Sequence, residues 1–227
     1  MASVMKAAVL FSGGKDSTFA LFKEHEYYEI ACLISLLPKT SGSYMFHYPN
    51  IKLAKYQAEA LNLPLLAKIT KAEKEDELKD MEIILKKAIR KYKIQALISG
   101  ALASNYQKSR IENLCKKLNL KSIAPLWGIN SEKYLRELIK NNFKVIITGV
   151  SADGLDESFL GRKIDNKLIE DLKKLNIHLG GEGGEYETFV LDCPLFKKKI
   201  IVSKAINMME SKNSGIYEIK KMMLIEK

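Results

Sequence analysis

The sequence predicts an α/β protein: a doubly wound parallel sheet followed by a smaller C-terminal α+β domain. Three observations carry that expectation. Short apolar, β-prone runs alternate with helical stretches from Lys6 to Thr148, the pattern of right-handed βαβ units whose strands are buried on both faces. The first run passes straight into a Gly-Gly turn, Ser12-Gly13-Gly14-Lys15-Asp16-Ser17, and that turn opens the first helix. Beyond Gly149 the alternation gives way to polar, glycine-punctuated segments and a tail of strands. The expected division is a domain of residues 1–149 and a smaller one of residues 150–227.

Taken in order, Lys6 to Phe11 reads as a buried strand, and Thr18-Phe19-Ala20-Leu21-Phe22 continues with helical spacing. Glu29 to Leu37 is the second strand, ended by Pro38. A loop containing Met45-Phe46-His47 leads to Pro49, which opens a helix to about Leu61. Leu65 to Thr70 is a strand. Glu73 to Tyr92 is an amphipathic helix with Met81, Ile84, Leu85, Ala88 and Ile89 on its apolar face. Ile94 to Ser99 is the fourth strand, followed by a helix from Ser104, a short strand near Ser122 to Ala124, a helix from Ser131 to Lys140 and a strand at Lys144 to Thr148. Asp165 to Asn176 reads as a further helix. In doubly wound sheets ligands lie at the carboxyl ends of the strands, which is where the Gly-Gly turn, Ser99-Gly100 and Pro125 to Gly128 all fall.

Composition excludes several classes. With 227 residues, 47% hydrophobic and 28% charged, the chain is that of an ordinary globular protein, without an apolar run long enough to span a membrane. The N-terminal apolar stretch, interrupted at Lys6 and leading into the Gly-Gly turn, reads as a strand rather than a signal peptide, so a cytoplasmic protein is expected; the three cysteines, far apart and without a CxxC pair, argue against a disulfide framework or a zinc site. The net charge of +10 comes mostly from lysines spread over helix faces without interleaved aromatics, so a solvated basic surface is expected and a nucleic-acid site is not.

Two segments carry chemistry. In the Gly-Gly turn, paired glycines let the backbone bring its N–H groups to an anion while the helix N-terminus adds donors and partial positive charge. Ser12 and Ser17 add hydroxyls, and Asp16 or Ser17 can cap the helix. This is a phosphate cradle. The second segment is Gly180-Gly181-Glu182-Gly183-Gly184-Glu185-Tyr186-Glu187-Thr188, where clustered glutamates repel one another unless cations or donors neutralise them. A site that receives a cation would explain it, and so would an exposed acidic turn.

SGGKDS at the end of the first strand resembles the pyrophosphate-binding loop of the ATP pyrophosphatase (PP-loop) family, with Lys15 at the variable position. Almost end to end, the chain resembles the diphthine–ammonia ligase, or diphthamide synthase, family. The likeness rests on SGGKDS, MFHYPN at Met45 to Asn50, SGALASNYQKSRIENLC at Ser99 to Cys115, Pro125-Leu126-Trp127, GLDESFLGR at Gly154 to Arg162, and GEGGEYET at Gly181 to Thr188 followed by Asp192-Cys193-Pro194.

The resemblance implies an adenine nucleotide alpha hydrolase-like (HUP-type) fold. It also implies an AMP-forming ligase that amidates the diphthine carboxylate of translation elongation factor 2 with ammonium, using ATP and Mg²⁺. On that reading Ser12, Gly13, Gly14, Lys15, Asp16, Ser17, Ser99 and Gly100 hold the nucleotide, and Asp16 also holds the metal. Asp16, Glu182, Glu185 and Glu187 are the candidate catalytic groups, while His47, Arg110, Trp127, Gly183, Gly184, Tyr186 and Thr188 are the candidate substrate-binding ones. The diphthine side chain bears a trimethylammonium group, which carboxylates and aromatic faces hold best, so Glu182, Glu185 and Glu187 with Tyr186 and Trp127 are the expected pocket. Which glutamate takes which role, whether Lys15, His47 and Arg110 bind or catalyse, and the oligomeric state stay open. Two other readings are a tRNA-modifying ATP pyrophosphatase and a non-enzymatic ATP-binding sensor. The first lacks the paired cysteines of the thiolating enzymes, and the second has no need of the acidic segment.

Overall fold

The computed structural model describes residues 4–38, 51–70 and 74–227. The elements run β1 (Lys6–Leu10), α1 (Lys15–Glu24), β2 (Glu29–Pro38), α2 (Ala54–Leu61), β3 (Leu65–Thr70), α3 (Lys74–Tyr92), β4 (Ala96–Ile98) and α4 (Asn105–Lys117). They continue with β5 (Lys121–Ile123), α5 (Ser131–Lys140), β6 (Lys144–Ser151), α6 (Asn166–Leu172), β7 (Tyr186–Asp192), β8 (Lys198–Ser211) and β9 (Ser214–Glu226). The helix expected to open at Pro49 begins, among the described residues, as a 3₁₀ turn at Ile51–Leu53 that runs into α2.

By contacts the chain forms two compact units. The first holds the described residues up to Ser12, those from Asp16 to Pro38, and Leu63 to Trp127; the second holds Gly13–Lys15, the described residues up to Asn62 that precede β3, and Gly128–Lys227. In the first unit all strand pairs are parallel and the order is β3-β2-β1-β4-β5, so β1 is central and the sheet winds outward both ways from it. Ala7, Ala8, Val9 and Leu10 are all buried, and successive residues face opposite sides, so both faces of the central strand are covered. On one side Ala8, Cys32, Ile34 and Leu36 pack with Met81, Ile84, Leu85 and Ala88 of α3, the apolar stripe that the periodicity of that helix marks.

The second unit has a four-stranded antiparallel sheet of order β7-β6-β9-β8. β6 belongs here, and the units part between Trp127 and Gly128, so a division near Gly149 cuts through this strand. The reason is that Val145 to Val150 is buried at every position, and a strand without polar alternation reads alike in a buried parallel or antiparallel sheet. Side chains cap the helices here: the Asn130 oxygen accepts from Lys133 N–H at 3.0 Å before α5, and the Asp165 carboxylate accepts from Leu168 N–H at 2.8 Å before α6. β8 is an edge strand, blunted by lysines and by register breaks between Val202 and Ala205.

Candidate nucleotide and substrate site

In the first unit the loop leaves β1 under tight control. Phe11 N–H donates to Ile34 O at 2.8 Å, and the buried Ser35 hydroxyl donates to Phe11 O at 2.5 Å, so neighbouring β2 fixes the last residue before the turn. Ser12 N–H donates to Ser17 Oγ at 3.2 Å, with the two hydroxyls 3.1 Å apart. Ser99 is buried at the end of β4 and its N–H donates to Ile123 O at 2.9 Å. A Cβ on Gly100 would sit 2.6 Å from the Asp16 carbonyl carbon and 2.7 Å from Ser17 N, so glycine is required there for backbone to pass backbone. The Arg110 guanidinium lies over the Tyr106 ring at 4.3 Å, and the Lys108 ammonium over the Trp127 ring at 4.1 Å. His47 lies outside the described residues.

In the second unit Gly13–Lys15 is fastened to β7. Gly13 has a φ of +82°, which a glycine adopts without cost, and its carbonyl accepts from Val190 N–H at 3.0 Å and from Gln57 Nε2 at 2.7 Å. Lys15 N–H, one of the donors at the start of α1, goes to the Thr188 hydroxyl at 3.1 Å. The Lys15 side chain is 2% exposed; its ammonium donates to Gly180 O at 2.6 Å and stands 5.1 Å from the centre of the Tyr186 ring. Tyr186 is buried and its hydroxyl donates to Leu179 O at 2.5 Å. Within this unit Gly13–Lys15 and the acidic segment, far apart in sequence, thus meet at Lys15, Tyr186 and Thr188.

This arrangement divides the residues of the acidic segment. Glu185 accepts His178 N–H on one oxygen at 3.0 Å and Gly183 N–H on the other at 2.8 Å, so its carboxylate braces the turn. Gly181 and Gly184 take positive φ, as that turn requires. Gly183 and Gly184 are exposed at its tip, and Glu182 and Glu187 are half-buried. Part of the glycine and glutamate density is therefore turn construction, and the buried face of Tyr186 is already held by the chain's own lysine.

Sequence reasoning missed Gln57 and Ser35. Each had a visible signal: Gln57 interrupts the buried face Ala54, Ala58 and Leu61 of α2, and Ser35 stands alone in the apolar run of β2. Among the described residues no cluster of three or more metal-ligating side chains occurs. Burial pushes the Cys32 and Cys193 thiols up to about 12 and Cys115 to about 11, so none is poised as a nucleophile.

A doubly wound sheet whose central strand ends in Ser-Gly-Gly-Lys-Asp-Ser defines a nucleotide-binding protein of the PP-loop class. Family models for the diphthamide synthase N-terminal domain and the diphthamide synthase C-terminal domain match residues 5–122 and 130–225, and the chain belongs to that family. It is 39% identical to a mouse diphthine–ammonia ligase over 230 residues, covering 91% of this chain and 86% of the mouse protein. The human diphthine–ammonia ligase is 40% identical over 225 residues, covering 88% and 84%. A Methanocaldococcus jannaschii crystal structure described as a predicted subunit of tRNA methyltransferase superposes with a TM-score of 0.42 at 21% identity, over 84% of this chain and 98% of that one.

Proposed function

We propose that this protein is an ATP-dependent, AMP-forming ligase that converts the diphthine carboxylate of translation elongation factor 2 into an amide with ammonium. A carboxylate oxygen attacks the α-phosphorus, the bond to the bridging oxygen breaks and pyrophosphate leaves. Ammonia, after loss of a proton from ammonium, attacks the acyl carbon, and AMP leaves with the former carboxylate oxygen. The observation that carries this reading is the fastening of Gly13–Lys15 to β7, the strand bearing Tyr186, Glu187 and Thr188: the motif for pyrophosphate and the motif that marks the family are one hydrogen-bonded assembly.

Where a side chain's contacts are known, they support the role proposed for it. Ser12 and Ser17 offer hydroxyls to phosphate oxygens, and the N-terminus of α1 supports the leaving charge. Asp16, in the first turn of α1, would be the carboxylate that holds Mg²⁺, and the ion would supply charge neutralisation for the phosphates. Ser99 and Gly100 shape the approach to that turn. Glu182 and Glu187 are the candidate bases for ammonium, since Glu185 is engaged with two backbone N–H groups. Lys15 and Thr188 hold the loop. For the trimethylammonium group Trp127 is the better aromatic, because Lys108 above it is 30% exposed and can be displaced, whereas Lys15 under Tyr186 is buried. His47, Arg110, Gly183 and Gly184 complete the candidate substrate contacts. The ligase acts in the cytoplasm, where its substrate is made.

The test is release of AMP and pyrophosphate from ATP. Release that requires both ammonium and diphthine-bearing elongation factor 2 is expected. Release that requires tRNA instead would transfer the protein to the tRNA-modifying class, and ATP binding without turnover would make it a sensor.

A further inference from the structure

The amide of Gln57 is buried and its nitrogen makes two hydrogen bonds, to Gly13 O at 2.7 Å and Val190 O at 2.8 Å. These consume both of its protons, which fixes the orientation of the amide and leaves Oε1 buried without a partner. That oxygen occupies the space beside Gly13, 1.9 Å from where a Cβ would stand. The other buried positions of α2 are Ala54, Ala58, Ala60 and Leu61. An apolar residue there would take away the donor to Val190 O and one of the two donors to Gly13 O, so it is these two carbonyls, rather than packing, that call for an amide at Gln57.

We infer that Gln57 is a positioning residue for the phosphate loop. In a trans peptide the carbonyl and the following N–H point in opposite directions. Holding Gly13 O against β7 from two donors, Gln57 Nε2 and Val190 N–H, therefore sets the plane of the Gly13–Gly14 peptide and the direction of the Gly14 N–H. Because Gln57 also grips Val190 O, a shift of β7 is passed to that peptide. The inference rests on the reading that Ser12 to Ser17 receives the phosphates of ATP, and concerns ATP binding whatever the acyl acceptor.

The experiment is ATP titration by calorimetry on the full chain and on Gln57→Met, which keeps length and volume but has no donor. The expected result is a dissociation constant for ATP raised roughly tenfold, the effect of one lost positioning hydrogen bond. The Michaelis constant for ammonium should stay at the parent's value, while the melting temperature without nucleotide should fall by only a few degrees, the cost of the lost donor to Val190 O. Gln57→Asn, which keeps the amide but falls a methylene short, should lose ATP affinity equally. An unchanged ATP constant in a folded Gln57→Met chain would overturn the inference. So would a chain that fails to fold, or parallel losses in ATP, ammonium and melting temperature, each of which would make Gln57 a stability element. A parent protein that binds no ATP would overturn the role of the loop itself, a result distinct from any difference between variants.

Discussion

Lys15 and Tyr186 change meaning between sequence and structure. In the sequence one is the variable residue of a phosphate loop and the other an aromatic beside three glutamates; in the fold they are a buried cation and the ring beneath it. Tyr186→Phe keeps the ring and removes the hydroxyl that donates to Leu179 O, so denaturant unfolding should show a loss of about 1 kcal/mol with ATP affinity close to the parent's. Tyr186→Ala removes the ring that supports Lys15, and ATP affinity should fall at least as far as affinity for the diphthine-bearing substrate. The cysteines give a pH prediction. Cys32 and Cys193 have thiols pushed from the usual 9.0 to about 12, so between those values the unfolded chain releases protons that the folded chain keeps. Stability is full below about pH 9 and falls as pH rises from there, and thermal melts across pH 8 to 11 should show that decline. At pH 8 the thiols should resist alkylation until denaturant is added.

At the scale of elements, the turn from β1 into α1 is the region most sensitive to added volume. Gly100→Ala sets a methyl against the backbone of Asp16 and Ser17, which no rotamer change relieves, so the end of β4 and the start of α1 must separate. ATP affinity should drop more than tenfold and the melting temperature should fall; an alanine variant with the parent's affinity would contradict the close approach. The parallel sheet was legible because each strand is a short apolar run closed by a turn signal and each helix shows its stripe, as Met81, Ile84, Leu85 and Ala88 do in α3. The place of β6 was not, since Val145 to Val150 carries no alternation that would mark one face as exposed. Within the candidate site, the turn from β1 into α1 was legible in its paired glycines. Its bracing was not: Gln57 to Gly13 and Lys15 to Thr188 are pairings across 44 and 173 residues, which spacing along the chain does not encode.

For the whole molecule, two compact units and a family match over both of them describe one enzyme in which nucleotide chemistry and substrate recognition occur on a single chain. No helix among the described residues is long and apolar enough to cross a membrane. The central claim is that one carboxylate is first adenylated and then amidated. The measurement that tests it most directly uses elongation factor 2 whose diphthine carboxylate carries oxygen-18, incubated with ATP and ammonium, with AMP and the modified peptide both weighed by mass spectrometry. The expected result is one labelled oxygen in each AMP formed, together with a peptide in which one labelled oxygen has been replaced by NH₂. Unlabelled AMP, or labelled AMP with no amide on the peptide, would contradict it.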